Sequence, residues 1–296
     1  MDIWKYIIML NQKNLNNLIT EALAIEAEAA KEAGAEGYMA RVLTQATIPH
    51  KKTEGSEFTR SNGTFTLSIL APSGIGIPYG SIPRLLLSWL TTEAVRTKSP
   101  EIILGHTLSE FMRELKLTPT GGRWGTITRL RDQIQRLFSS SVSCRYDDEK
   151  QKRNAAIGFN IAKEYQLWWE PKNPQQASLW QSTVTLGKDF FDEITDRPVP
   201  VDMRALNALK RSPLALDIYC WLTYRMYYLK KQTHIPWGAL ELQFGADYTR
   251  TRDFKNKFLN QLKAVMLVYP EVKVENNNSH LILLPSKPHI PTLACV

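Results

Sequence analysis

Apolar residues recur along the chain with two different periods, which predicts a mixture of helices and strands. Phe65, Leu67 and Ile69 alternate with polar residues, a spacing typical of a half-buried strand. Over residues 125–138, and again near 254–265, apolar residues recur at every third or fourth position, which predicts amphipathic helices. The pattern therefore predicts an α+β fold.

The first 60 residues predict an N-terminal helical extension and a linker. Ala, Glu and Leu dominate from residue 18 to 35, and a short helix is predicted over 38–45, before Pro49. Residues 50–63 are polar, glycine-containing and aperiodic, which predicts a loop.

Two later blocks have the same predicted order of elements: helix, short strand, helix, turn, helix and hairpin. In the first block these are helix 82–96, strand 101–104, a helix ending at Leu115 that a Thr107/Glu110 capping box begins, helix 125–138 and a hairpin of strands 141–146 and 157–165. In the second they are helix 213–230, strand 234–237, helix 238–244, helix 248–267 and a hairpin of strands 272–274 and 281–284.

This order is that of the winged helix, a helix-turn-helix followed by a β-hairpin wing. We therefore expect two tandem winged-helix domains, residues 61–170 and 171–296, after the extension of residues 1–60. Pro171 and Pro174 mark the linker between the blocks. After it we expect a strand at 183–186, a helix at 187–194, a turn at 197–200, and a helix at 203–210 that Asp202 caps.

The charge of the chain favours a polyanionic partner. The formal net charge is +8, and the first 60 residues contribute −1 of it, so the excess lies in the two predicted domains. Nucleic acid is the commonest partner of such a surface, although a basic protein with no such role has a similar composition.

Cysteine usage and hydropathy both favour a cytoplasmic protein. Cys144 and Cys220 lie in apolar patterns, and none of the three cysteines forms a C-x-x-C pair. Neither the partly apolar start nor any later run approaches the 18 apolar residues of a transmembrane helix. We expect no membrane partner.

The helix after each predicted turn offers candidate DNA contacts. In the first block Ile127, Leu130, Ile134 and Leu137 form the predicted buried stripe, and in the second Phe254, Phe258, Leu262 and Val265 do so. The candidate DNA-binding residues of the first block, with its hairpin tip, are Arg129, Gln133, Arg136, Lys152 and Arg153. Those of the second block are Arg250, Arg252, Lys255, Asn256, Lys257 and Lys263. Arg and Asn suit base edges in the major groove, and Lys suits phosphate.

Catalytic chemistry has little support in the sequence. The chain has no P-loop motif, and its five histidines form neither an H-x-H nor an H-E-x-x-H pair. Asp147, Asp148 and Glu149 could bind Mg²⁺, but a solvated hairpin tip is the simpler interpretation. Trp168, Trp169 and Trp180 could stack on single-stranded bases, although core packing is the safer expectation. We expect no enzymatic activity, no catalytic or metal-binding residues and no cofactor.

Three stretches resemble the RepA family of plasmid replication initiators. They are residues 76–144, beginning GIPYGSIPRLLLSWL, the segment GYMARVLTQATIPH (37–50), and residues 216–245, which include IPWGALELQFG. The resemblance covers about residues 34–290 and is less distinct over the first 33.

The resemblance implies a protein that binds directly repeated double-stranded sites, or iterons, at a plasmid origin. It further implies help in opening the neighbouring DNA, recruitment of the host initiator and helicase, and a homodimer form. By the same resemblance, Arg250, Arg252, Lys255, Asn256 and Lys257 would make the main major-groove contacts.

Other classes of function remain open at this point. A winged-helix transcriptional regulator with no replication role would bind a palindromic site, and the plasmid would persist without its gene. A nickase or primase would need a metal-binding constellation that the sequence does not display. A module that binds only proteins would not need basic helices.

Overall fold

A computed structural model describes residues 12–148, 153–245 and 248–291, and its fold is α+β. The helices of these residues are α1 (Gln12–Ala27), α2 (Arg41–Gln45), α3 (Ser81–Thr97), α4 (Leu108–Glu114), α5 (Thr126–Phe138), α6 (Lys188–Asp196), α7 (Met203–Leu209), α8 (Pro213–Tyr228), α9 (Trp237–Phe244) and α10 (Thr251–Val268). The strands are β1 (Glu36–Met39), β2 (Glu57–Ser61), β3 (Phe65–Leu70), β4 (Glu101–Gly105), β5 (Ser141–Asp148), β6 (Arg153–Asn160), β7 (Ala162–Gln166), β8 (Ser182–Leu186), β9 (Val199–Asp202), β10 (Thr233–Pro236), β11 (Lys273–Asn276) and β12 (His280–Leu284).

The chain divides into two compact units. The terminal unit contains the described residues of 1–37, 200–237 and 248–296, and the central unit contains those of 38–199 and 238–247. Helix α9 thus begins with Trp237 in one unit and continues in the other. The domain bounds predicted from the sequence remain a prediction.

Helix α3 is the centre of the central unit. It has buried residues on most of its sides, and both α5 and α6 pack against it. Arg84 of α3 is itself buried, and its guanidinium donates to the carbonyls of Ile48, Pro49 and Gly80 at 2.6–3.2 Å. These bonds to backbone carbonyls help to satisfy the buried charge and fix the segment that leads into the helix.

The central unit has two antiparallel sheets. One has the strand order β2-β3-β5-β6, and the other has the order β4-β8-β7. On β3 the predicted alternation is confirmed, because Phe65, Leu67 and Ile69 are buried. Trp169, in the connection between β7 and β8, stacks on Phe111 of α4 with ring centroids 5.1 Å apart.

The terminal unit is a helical group beside one antiparallel sheet. Helices α1, α7, α8 and α10 pack on one another, and the sheet has the order β10-β12-β11. Arg204 links α1 to the start of α7: it donates to both carboxylate oxygens of Asp202 and to the carbonyls of Ala24 and Glu28. Asp202 caps α7 as predicted, by accepting from the backbone N–H of Arg204.

Both three-stranded sheets have the same strand order. In each, the strand that comes last in the chain lies in the middle of the sheet and pairs with the other two. The connections differ, because β5 and β6 lie between β4 and β7 in the chain. The sheet β2-β3-β5-β6 has no counterpart among the described residues of the second block.

Several sequence predictions require correction. The predicted strand 157–165 is two strands, since β6 pairs with β5 whereas β7 pairs with β8. The predicted loop 50–63 contains β2, an edge strand whose polar residues conceal its periodicity. The predicted turn 197–200 overlaps β9, which pairs with β1 in a two-stranded sheet. Strand β1 in turn occupies the first part of the predicted helix 38–45. The predicted helical residues 1–11 lie outside the described chain.

The predicted capping box and the expected burial of two cysteines are confirmed. The Thr107/Glu110 capping box begins α4, and both of its reciprocal bonds are present. Cys144 and Cys220 are buried free thiols, and burial raises the pKa of Cys144 to about 12. No helix within the described ranges has the length and apolar content needed to cross a membrane.

Candidate nucleic-acid interface

Helix α10 has one buried apolar face and one exposed polar face. The predicted stripe of Phe254, Phe258, Leu262 and Val265 is buried, with no side chain more than 4% exposed. Because this stripe packs toward α8, the opposite face of α10 is available to a ligand.

Four of the six candidate residues in this segment are exposed, and all four lie at the beginning of α10. They are Arg250, Arg252, Asn256 and Lys257. Within the described part of the chain, no side-chain hydrogen bond or ion pair engages any of them. Arg252 and Asn256 are one helical turn apart, so they share a side of the helix. Asp253 is the single acidic residue of α10.

The other two candidates lie in more enclosed positions. Lys255 is half-buried, and its ammonium donates to the carbonyls of Asn277 and Asn278 at 2.8 and 3.4 Å. The same Nζ lies 5.2 Å from the ring centroid of Trp237. Lys263 is also half-buried and interacts with neighbouring groups. Neither side chain is exposed to a ligand as those of Arg252 and Lys257 are.

The turn between β11 and β12 is held by its own side chains and by Trp237. Asn277 Oδ1 accepts from the backbone N–H groups of Ser279 and His280 at 2.9 and 2.8 Å, an Asx-type turn. The indole N–H of Trp237 donates to the Asn277 carbonyl at 3.2 Å. Asn276 and Asn278 are exposed, and neither was predicted from the sequence as a contact residue.

Helix α5 has the same two-faced construction. Ile127, Leu130, Ile134 and Leu137 are buried as predicted. The exposed residues of this helix are Thr128, Arg129, Arg131 and Gln135. Arg129 is therefore presented to solvent, and Arg131 adds a second guanidinium on the exposed side.

Gln133 and Arg136 face the protein instead of solvent. Gln133 is 3% exposed and accepts from the backbone N–H of Tyr79 at 2.8 Å. Arg136 donates to Asp132 at 2.9 Å and to the carbonyl of Ile77 at 3.4 Å. These contacts bind α5 to the segment that precedes α3, and they favour a structural role for both side chains.

The turn before α5 is fixed by two threonines. Thr120 and Thr126 exchange bonds, each hydroxyl accepting from the backbone N–H of the other residue at 2.9 Å. Beside this turn, Trp124 is 80% exposed, and the guanidinium of Arg123 lies 5.1 Å from its ring centroid. Neither residue of this exposed pair was predicted from the sequence as a contact.

The hairpin tip predicted to contact phosphate is only partly described. Lys152 lies outside the described residues, as does Glu149 of the possible carboxylate cluster, and Arg153 is known only as the first residue of β6. In the described ranges no group of three or more His, Cys, Asp or Glu side chains is placed to hold a metal ion.

The exposed faces of α5 and α10 define a class of protein. Helices α5 and α10 both expose basic residues, and antiparallel strands follow each helix in the chain, which is typical of proteins that bind DNA.

Residues 77–238 match the family described as Plasmid encoded RepA protein. This match extends over more than half of the chain, and the chain belongs to that family, whose members are plasmid replication initiators.

Solved structures with a similar fold come from the protein RctB. A crystal structure of RctB domains 2–3 has a TM-score of 0.51 at 13% identity, covering 82% of this chain and 96% of that one. A selenomethionine derivative of the same two domains has a TM-score of 0.53 at 13% identity, covering 84% and 96%. No curated protein matches the chain.

Proposed function

We propose that the protein starts plasmid replication by binding directly repeated double-stranded sites at the origin. The observation that carries the proposal is the exposed face of α10, where Arg250, Arg252, Asn256 and Lys257 project from a helix whose other face is buried. Membership of the RepA family supports the same conclusion independently.

Two winged helices would supply the DNA contacts. The repeated order of elements and the repeated strand order of the two three-stranded sheets both support this assignment. The recognition helices would be α5 and α10. In the second block the wing would be β11–β12. In the first block it would be β7–β8 in place of the hairpin predicted from the sequence, because β8 pairs with both β4 and β7, whereas β5 and β6 belong to another sheet. The first winged helix would then extend through β8, because β8 pairs with β4.

In the major groove, the exposed residues of α10 suit different partners. Arg252 can bind guanine with two hydrogen bonds, and Asn256 can bind adenine in the same manner. Lys257 suits a phosphate. Arg250 precedes the first turn, where unpaired backbone N–H groups also attract phosphate. Arg129 of α5 would add a secondary contact.

Origin opening would draw on binding energy and partners. Several copies on adjacent repeats would bend the DNA and destabilise flexible steps nearby, and host initiator and helicase would join the complex. A homodimer would be a second state of the same chain, and the protein would act in the bacterial cytoplasm on plasmid DNA.

Fluorescence anisotropy on a duplex carrying the direct repeats from upstream of the gene tests the proposal. We expect binding at least ~10³ tighter than to a scrambled duplex. We also expect log K to fall steeply with log salt, since each phosphate contact adds about −0.9 to the slope. Equal and weak affinity for both duplexes would remove the proposal.

Variants of α10 locate the interface. Arg252→Ala and Asn256→Ala should each lose about 1–3 kcal/mol of discrimination between the two duplexes. Arg211→Ala is the matched control, because Arg211 is exposed in the same unit but lies outside α10. A loss for Arg211→Ala as large as that for Arg252→Ala would contradict contact through α10.

A further inference from the structure

Lys255 and Lys257 lie two positions apart on α10 but have different surroundings. Lys257 is exposed, and no group in the described chain holds its ammonium. Lys255 donates to the carbonyls of Asn277 and Asn278 and lies over the ring of Trp237. The ammonium of Lys255 is therefore engaged within the protein, whereas that of Lys257 is available to a phosphate.

The contacts of Lys255 connect three elements of the terminal unit. Trp237, immediately after β10, donates its indole N–H to the same Asn277 carbonyl that Lys255 bonds. The backbone N–H of Trp237 donates to the carbonyl of Ser279 at 3.1 Å. The turn between β11 and β12 is thus held from α10 by Lys255 and from β10 by Trp237.

The chemistry of this turn suits the minor groove of duplex DNA. Residues 276–280 carry three amides, a hydroxyl and an imidazole, and no carboxylate. All three asparagines are exposed, but Asn277 Oδ1 is bonded within the turn, which leaves the side-chain amides of Asn276 and Asn278 available to a ligand. An amide both donates and accepts, and asparagine is among the residues that contact minor-groove base edges.

We propose that Lys255 is a positioning residue that holds the β11–β12 turn beside α10, so that Asn276 and Asn278 reach the minor groove next to the bases that α10 contacts. This inference rests on the proposed DNA-binding function. It assigns Lys255 a role different from the direct DNA contact that the sequence suggests.

Hydrogen exchange of the DNA-free protein tests the positioning role by itself. Lys255→Met keeps the length and the packing of the side chain but removes its donors. We expect amides of residues 276–281 to exchange several-fold faster in Lys255→Met than in the wild type, and Lys257→Met to match the wild type. Lys255→Arg restores a donor and a cation over Trp237, and it should restore protection. Wild-type exchange in Lys255→Met would overturn the positioning role.

Salt titration on the repeat duplex separates positioning from phosphate contact. Lys257→Met should reduce the salt slope by about 0.9, as one lost phosphate contact requires. Lys255→Met should weaken binding roughly tenfold, the loss of about one specific contact, without a change of slope. In hydroxyl-radical footprinting of the repeat duplex, Lys255→Met should also lose protection at the nucleotides where Asn278→Ala loses it. A slope reduced by about 0.9 in Lys255→Met would overturn the inference in favour of phosphate contact.

The two proposals fail in different ways. If the wild type does not prefer the repeats over a scrambled duplex, the DNA-binding proposal fails, and the exchange experiment still reports on the Lys255 contacts. If the wild type prefers the repeats but Lys255→Met leaves both exchange and affinity unchanged, only the role of Lys255 fails.

Discussion

At the scale of single residues, burial divides the basic and amide side chains into two groups. Arg84, Gln133 and Arg136 direct their donors or acceptors at backbone and side chains of the central unit. Arg129 and Arg252 are exposed and unengaged within the described chain. Residue type alone does not separate the groups, because each contains arginines, and Arg129 and Arg136 lie on the same helix.

Two glutamines on α5 provide a matched test of this division. Gln133→Ala leaves the part-buried backbone N–H of Tyr79 without its acceptor, and we expect the free energy of unfolding to fall by about 1–3 kcal/mol. Gln135→Ala, at an exposed position of the same helix, should change it by less than about 0.5 kcal/mol. Urea unfolding of both variants provides the measurement.

The opposite result would assign Gln133 to DNA. If Gln133→Ala were as stable as the wild type but lost preference for the repeat duplex, the side chain would be a base contact. The period of α5 placed Gln133 beside Arg129, on the edge of the buried stripe. Its acceptor role was not predictable from the sequence, because its partner, Tyr79, is 54 residues away in the chain.

At the scale of elements, the turn before α5 depends on the absence of a side chain at Gly125. A Cβ there would lie 2.2 Å from the carbonyl oxygen of Thr120 and 2.3 Å from that of Gly121. Backbone atoms cannot yield as a flexible side chain can, so the turn must open to admit even a methyl group. The Thr120–Thr126 bonds close the same turn.

Gly125→Ala should therefore cost about 1–3 kcal/mol of stability. Because the strain falls where α5 begins, we also expect weaker binding to the repeat duplex. Gly121→Ala is the control, since a Cβ at Gly121 meets no atom within 4 Å and its φ is not positive. Thermal unfolding that lowers the Tm of both variants equally would contradict the steric argument.

Most helices were predictable because their patterns are local. The buried stripes of α5 and α10 and the capping box of α4 lie within a few turns of sequence. Strand pairing was harder, because it joins distant residues. Strand β2 is polar, and its position depends on pairing with β3. Strands β6 and β7 are separate because β6 pairs with β5 in one sheet and β7 pairs with β8 in another.

At the scale of the whole molecule, one buried network joins distant parts of the terminal unit. The backbone N–H of Asp202 donates to the Tyr219 hydroxyl, which lies 2.7 Å from Nδ1 of His289. The His289 ring stacks on Tyr269 with centroids 4.6 Å apart. Burial lowers the pKa of His289, and Arg204 lowers it further, whereas Asp202 and Glu271 act in the opposite direction.

This network predicts a loss of stability in mild acid. The folded state disfavours protonated His289, so the unfolded chain takes up the proton first as pH falls through about 6.5. Neutral His289 makes its full contribution to the free energy of unfolding above that pH. This contribution is lost as pH falls toward the lowered pKa of His289 in the folded state. His289→Gln should flatten the decline between pH 7 and pH 5, although it lowers stability at pH 7. Urea unfolding between pH 7 and pH 5 provides the measurement. A free energy of unfolding that declined in parallel in the wild type and in His289→Gln would contradict this prediction.

The two three-stranded sheets share one strand order, but only the first block carries the additional sheet β2-β3-β5-β6 within the described chain. The two blocks thus share one sheet pattern but are not equivalent in their elements. If both halves bind DNA, a single chain occupies a site that has a left and a right end. Copies on sites repeated head to tail would all face one way along the plasmid. One inverted site would turn its protein around, and replication would then depend on the orientation of each repeat as well as on its bases.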